Sequence, residues 1–269
     1  MLLECQTSNN KIGKFMNKFT NEERKEAIVK NYEQVALQNS CCGNDTNGCG
    51  NNSLNFGYSK QQLQSIPSDS DKGLGCGNPT IIASLKKGET VLDLGSGAGL
   101  DCFLSSKEVG ETGNVIGVDM TMQMIVKSRE NKTKNNYDNV DFRLGEIENL
   151  PVSNDSIDVI ISNCVINLSL NKQQVFNEAY RVLKNGGRLA ISDIVLTKEI
   201  PEKQITLDNF GSCIAGASYV NTLENLLINA GFKDIEITKK GESKKFLKDW
   251  DDNIENFIVS ADIKAVKLV

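Results

Sequence analysis

The sequence predicts an α/β fold in which a doubly wound, mostly parallel sheet carries helices on both faces. Two observations predict it. Between Gly73 and Leu196 five short β-branched runs, "TVLDLG", "NVIGVDM", "VDFRLGE", "IDVIISN" and "GGRLAISDIV", alternate with stretches of helical period after Gly99, Thr121 and Asn171. Strands and helices that alternate in this way are joined by right-handed crossovers into a parallel sheet. The first run also passes into its helix through three alternating glycines, a join that brings backbone close to a ligand. At 269 residues the chain can build one sizeable core with a smaller region appended.

Taken in order, the chain divides in three. Residues 1–72 are rich in Asn, Lys, Gln and Ser, with one helix expected from Asn21 to Gln38 and then the cluster "CCGNDTNGCGNN", so they read as a helical, cysteine-rich arm or lid. Residues 73–197 hold the alternating pattern and form the main domain. Residues 198–269 read as a smaller α+β region. There "NTLENLLINAGF" is a helix with Asn221 as its N-cap and Gly231 as its C-cap, and "DIEITK" and "NFIVSADIKAVKLV" are strands that complete or extend the sheet. No internal repeat is visible.

Composition narrows the function. A formal net charge of −5 argues against nucleic acid or an anionic membrane as partner and favours a small molecule. No apolar run approaches the roughly 18 to 20 residues of a membrane span, and "MLLECQTSNNK" lacks the basic start and apolar stretch of a secretory signal, so the cytoplasm is expected. The eight cysteines are then free, reactive or ligating rather than a disulfide framework. The chain has no histidine, which excludes Ser-His and Cys-His pairs, His-ligated metal centres and imidazole as a general base.

The motif "VLDLGSGAGLDC" is the strongest local signal. Gly95, Gly97 and Gly99 let the chain approach a nucleoside, and the helix that follows offers free N–H groups to a negative group. The dinucleotide fingerprint asks for a glycine where Leu100 stands, which disfavours a pyrophosphate cradle. Asp119, at the end of the next strand, is placed to accept both hydroxyls of a ribose.

"DLGSGAG", Asp119 and the later "GEIENLP" together resemble the Rossmann-like S-adenosylmethionine-dependent methyltransferases. The resemblance implies a doubly wound methyltransferase sheet with the donor's methionine end at Asp93, Gly95, Ser96, Gly97 and Gly99. It also implies ribose on Asp119, Met120 and Asn163 in the donor pocket, and Glu146 with Ile147 beside the adenine. "EAYRVLKNGGRLAISD" resembles the family's later helix and strand. Met120, Met122 and Met124 read as packing or as a wall of the adenosine pocket rather than a soft-metal site.

The acceptor follows from the missing base. Oxygen and nitrogen acceptors often lose a proton to attack, and no histidine is there to take it. Trivalent arsenic has a ready lone pair and, as a soft centre, prefers thiolates. Cys76 precedes the first strand of the sheet, Cys164 follows the fourth in "SNCVINL", and Cys213 lies after the fifth in "GSCIAGA". Cys164 is therefore at the rim where such sheets bind ligands; the other two thiols are within reach of it, although spacing alone does not bring them together.

With "GYSKQQLQSIPSDSDKGLGCGNP", "GVDMT", "SNCVINLS" and "GSCIAGA" in this order, the chain resembles the arsenite methyltransferases from about Gly57 through Gly231. The resemblance implies methyl transfer from S-adenosylmethionine to thiol-bound As(III), giving mono- and dimethylated arsenicals in arsenic detoxification. Cys76, Cys164 and Cys213 become the As(III) ligands, and Cys42 or its neighbour Cys41 delivers arsenic or pairs with Cys76 in redox cycling, with Cys49 as a possible helper. Arsenite or its glutathione adduct is the expected substrate, thioredoxin or glutathione the reductant, and a monomer without structural metal the expected form. Cys102 reads as structural and Cys5 as a tail thiol. No cysteine follows Cys213, so a cysteine-bearing C-terminal extension found in some relatives is not expected. Two other readings stay open: a methyltransferase for a small carbon, oxygen or nitrogen acceptor, and a non-catalytic thiol protein that sequesters a metalloid.

Overall fold

The computed structural model describes residues 18–37, 50–251 and 253–268. Cys5, Cys41, Cys42 and Cys49 lie outside the described residues. In chain order the helices are α1 (Asn21–Leu37), α2 (Gly50–Asn55), α3 (Lys60–Gln64), α4 (Pro79–Ala83), α5 (Leu100–Val109), α6 (Met122–Lys134), α7 (Lys172–Val182), α8 (Leu207–Gly211), α9 (Val220–Ala230) and α10 (Lys244–Leu247). The strands are β1 (Thr90–Leu94), β2 (Asn114–Asp119), β3 (Val140–Leu144), β4 (Ile157–Asn163), β5 (Leu183–Leu196), β6 (Ser218–Tyr219), β7 (Lys233–Lys240) and β8 (Ile258–Val266).

These strands form one sheet in the order β3-β2-β1-β4-β5-β8-β7, with β6 beside β5. β1 to β5 pair in parallel, while β8 runs antiparallel between β5 and β7. The alternation of side chains explains why both faces are covered. Leu92, Leu94 and Ile160 point into a core with Val175 and Phe176 of α7 and Leu223 and Leu227 of α9. Val91, Val159 and Ile161 point the other way, into a core with Ala83 of α4, Phe103 of α5 and Ile125 of α6. Strand order reverses between β1 and β4, so the crevice outside their carboxyl ends is where this topology binds ligands.

The ends of elements follow local chemistry. Thr20 and Glu23 cap α1 reciprocally, Thr20 N donating to Glu23 Oε2 at 2.7 Å and Glu23 N to Thr20 Oγ1 at 3.1 Å. The expected cap of α9 is corrected: the helix starts at Val220 and the cap position is Tyr219, not Asn221. Tyr219 is still paired with Leu196 in β6, so the strand turns straight into the helix and leaves Asn221 inside the first turn. Gly231 closes α9 in the left-handed region at φ 106°, as its position predicts. Among the described residues no helix is long and apolar enough to cross a membrane.

Candidate active site

The crevice holds a cavity of about 370 Å³ whose floor is the loop from β1 to α5. Gly95 N and Ser96 N both donate to Val118 O, at 2.8 and 3.0 Å, which folds the loop back over β2. The glycines differ in purpose. A Cβ on Gly95 would sit 2.4 Å from Val165, and one on Gly99 would sit 2.6 Å from Phe103, so these two permit close packing. A Cβ on Gly97 would meet no protein atom within 4 Å: its open side faces the cavity. Ser96 Oγ is buried there without a hydrogen-bond partner.

Three acids border this floor. Asp119 accepts from Gly97 N at 2.9 Å and Thr121 N at 2.8 Å. Asp93 accepts from Cys102 Sγ at 3.3 Å, which gives that buried thiol a partner. Asp101 accepts from Tyr58 Oη at 2.7 Å. Burial pushes all three carboxyls up, Asp93 further raised by Asp101, and Asp101 reaches about 6. Among the described residues none of the three makes an ion pair. A buried acid cluster with an open glycine and a free hydroxyl fits a cationic nucleoside such as S-adenosylmethionine, whose charge would offset the carboxylates.

Most of the expected donor residues line this cavity: Asp93, Gly95, Ser96, Gly97, Asp119, Met120, Ile147 and Asn163. Gly99 lies beneath it as the cap of α5. Glu146 points elsewhere, its carboxylate 2.5 Å from Lys25 Nζ of α1, and Glu148 lines the cavity in its place. Met124 also lines the cavity, while Met122 is 52% exposed.

The thiols meet on the far side of the cavity. The sulfurs of Cys76 and Cys164 and a carboxylate oxygen of Asp193 all lie within 4.8 Å of one another. Cys213 is not one of these three, but its thiol adjoins that of Cys164, and its Sγ donates to the carbonyl of Cys164 at 2.8 Å. Cys164 and Cys213 line the cavity, and Cys76 is buried behind it. The backbone at Cys164 (φ 58°) and Cys213 (φ 65°) is left-handed, which an L-residue adopts at a cost. Neighbouring thiols and burial push Cys164 well up, and burial raises Cys76, so both rest as thiols. Asn163 Oδ1 accepts from Cys76 N at 3.0 Å, and Ser260 Oγ of β8 donates to Cys76 O at 2.6 Å, which fixes this loop from two strands.

Sequence reasoning missed Asp193 and Tyr32. Asp193 is buried at the thiols, pushed up to about 6 by burial and held by Asn167 Nδ2 at 2.8 Å and Ile194 N at 2.8 Å. A carboxylate inside the apolar run "AISDIV" was its only signal. Tyr32 of α1 lines the cavity, hydrogen-bonded to the Cys213 thiol, and burial raises its phenol well above the ordinary value. Its helix is tied to α8, next to Cys213: Asn31 Nδ2 donates to Gly211 O at 3.2 Å, and the Arg24 guanidinium lies 4.7 Å from the Phe210 ring.

A methyltransferase-domain family matches residues 85–246, more than half of the chain, and the sheet order and the cavity over the glycine loop agree with that class. An arsenite methyltransferase of Halobacterium salinarum is 50% identical over 236 residues, 87% of this chain and 60% of the relative. The human arsenite methyltransferase is 47% identical over 98 residues, 35% of this chain and 26% of that protein. The crystal structure of an arsenic(III) S-adenosylmethionine methyltransferase from Chlamydomonas reinhardtii superposes with a TM-score of 0.62 at 31% identity, covering 80% of this chain and 73% of that one. The chain belongs to the arsenite methyltransferase family. It spans 60% of the length of its Halobacterium relative.

Proposed function

We propose that the protein transfers methyl groups from S-adenosylmethionine to thiol-bound trivalent arsenic, giving mono- and dimethylated arsenicals. The observation that carries this reading is the pair of thiols, Cys76 and Cys164, within 4.8 Å at the end of β4 and against the donor cavity.

The raised thiols suit such a substrate. When arsenite exchanges a hydroxide for a thiol, the thiol proton leaves with the hydroxide as water; with a glutathione adduct it leaves on the departing glutathione. Neither exchange needs a histidine. Cys76 and Cys164 take arsenic first, and Cys213 joins by turning its sulfur from the Cys164 carbonyl. The arsenic lone pair is then left facing the cavity. Asp93, Asp101 and the Gly95–Gly97 loop hold the donor, with Asp119 on its ribose and Ile147 beside its adenine. S-adenosylmethionine supplies there an electrophilic methyl on a sulfonium. The new As–C bond takes the arsenic lone pair, and the broken C–S bond leaves its electrons on sulfur. Alignment accounts for most of the rate, since no proton moves. Return of the pentavalent product to As(III) takes two electrons, which two thiolate ligands supply by closing a disulfide; thioredoxin or glutathione reopens it. Residues of α1, with Tyr32 over Cys213, act as a lid on the acceptor side.

The test is incubation with S-adenosylmethionine, glutathione and arsenite, followed by chromatographic separation of arsenic species with mass detection. Mono- or dimethylated arsenic is expected from the parent and none from Cys164→Ser, with donor binding retained. Full activity in the variant would remove Cys164 from the site, and no product from the parent would send the search to carbon, oxygen and nitrogen acceptors.

A further inference from the structure

Cys76 is held by a residue that also faces the donor. Asn163 accepts from Cys76 N through Oδ1, and its Nδ2 donates to Gly77 O at 2.8 Å and to Tyr58 Oη at 2.9 Å. The Tyr58 hydroxyl donates in turn to Asp101 Oδ1 at 2.7 Å, and Asp101 Oδ2 lies 3.4 Å from the same Asn163 amide. Asn163, Tyr58 and Asp101 thus close a ring of hydrogen bonds. Its ends face the cavity, because Asn163 and Asp101 both line it. Asp101 stands in the first turn of α5, directly after the glycine loop.

The ring is buried, with Tyr58 3% and Asp101 7% exposed. Packing alone does not call for it. A phenylalanine would fill the volume of Tyr58 without burying a hydroxyl against a carboxylate, and buried polar groups of this kind add little to stability over apolar ones. The Cys76 loop also has no slack. A Cβ on Gly75 would fall 2.8 Å from Asn163 Nδ2, and one on Gly77 2.6 Å from Ser192, so the loop follows Asn163 closely.

We propose that Tyr58 is a positioning residue that couples the two substrates, so that a cation bound over Asp93 and Asp101 sets the Cys76 loop through Tyr58 and Asn163 and tightens arsenic binding. The proposal rests on the arsenic reading above. It adds that the two ligands are linked energetically, and linkage is reciprocal: each must tighten the other by the same factor.

The measurement is arsenite affinity with and without sinefungin, an unreactive donor analogue that carries an amine where the sulfonium stands. The single tryptophan, Trp250, lines the cavity and serves as the fluorescent probe, with calorimetry as a second reading. In the parent, sinefungin is expected to lower the arsenite Kd about fivefold or more, within the usual range of coupling between sites. In Tyr58→Phe the factor is expected to fall below about two while each ligand alone binds within about threefold of the parent. If Tyr58→Phe does not fold, Tyr58→Met, which also removes the hydroxyl that donates to Asp101, is read by the same factor. An unchanged factor in a folded variant, or a parent factor of one, overturns the coupling and leaves the arsenic reading standing. Arsenite that fails to bind the parent at all overturns both.

Discussion

Gly95 and Gly97 stand two residues apart in one loop and do opposite work. Gly95→Ala drives a methyl to 2.4 Å from Val165, so it is expected to lower thermal stability by about 1 to 3 kcal/mol through overpacking. Gly97→Ala meets no protein atom and costs only the left-handed backbone, about 1 kcal/mol, at φ 52°. Its methyl enters the donor cavity, so donor affinity is expected to fall at least tenfold in a protein that still folds. A melting curve and a donor titration on the two variants separate these effects; normal donor binding by Gly97→Ala would mean that this face of the loop is not the cradle. The positions of the three cysteines were legible because strand ends and flanking motifs mark them. What spacing left open was their mutual geometry: Cys213 Sγ is turned to the Cys164 carbonyl, a detail of backbone φ that no local pattern encodes. Asp193 stayed hidden because a lone acid in a strand does not announce which thiol it will face.

At the scale of elements, α1 is the piece that sequence placed only as an arm. Its contacts with α8 run through Arg24, 5% exposed and stacked on Phe210, with burial lowering its pKa. Arg24→Ala is expected to loosen α1 by about 1 kcal/mol, the worth of such a cation–ring contact. The signature is faster hydrogen exchange confined to α1 and a higher KM for the proposed arsenic substrate, with unchanged melting of the sheet. Exchange that rises equally across the sheet would show that α1 is part of the global fold. Seven of the eight described strands were legible, since buried parallel strands are written as β-branched runs, whereas β6, two residues long, was not. The short helices α2, α3, α4, α8 and α10 were not, because four to six residues carry too few turns for a periodic signal. The start of α9 was misread for a related reason: Asn221 has the chemistry of a cap, but pairing of Tyr219 with β5 decides where the helix begins.

The molecule as a whole carries an unbalanced acid cluster, and its pH behaviour follows. Asp101 ionises at about 6, above an ordinary carboxyl near 4, and Asp93 and Asp119 are raised as well. A raised native pKa means that the folded protein holds these protons longer than the unfolded chain does, so their ionisation lowers donor-free stability as pH climbs from about 4 through 6. A cationic donor favours the ionised acids and offsets that loss. The melting-temperature increase produced by sinefungin is therefore expected to be larger at pH 7.5 than at pH 5.5, and an increase that is flat or falls with pH would remove the acids from the donor site.

The placement of β8 has a consequence for how the protein comes into being. Of the strands described it is the last to be synthesised, yet it lies inside the sheet, between β5 and β7. Until Val266 has left the ribosome, β5 is an open edge and β7 has no neighbour, the kind of unpaired edge that invites wrong pairing. Ser260 of this same strand holds the carbonyl of Cys76. The nascent chain therefore carries its thiols before it carries their frame, and the Cys76 loop lacks its Ser260 contact until this strand has been made and paired.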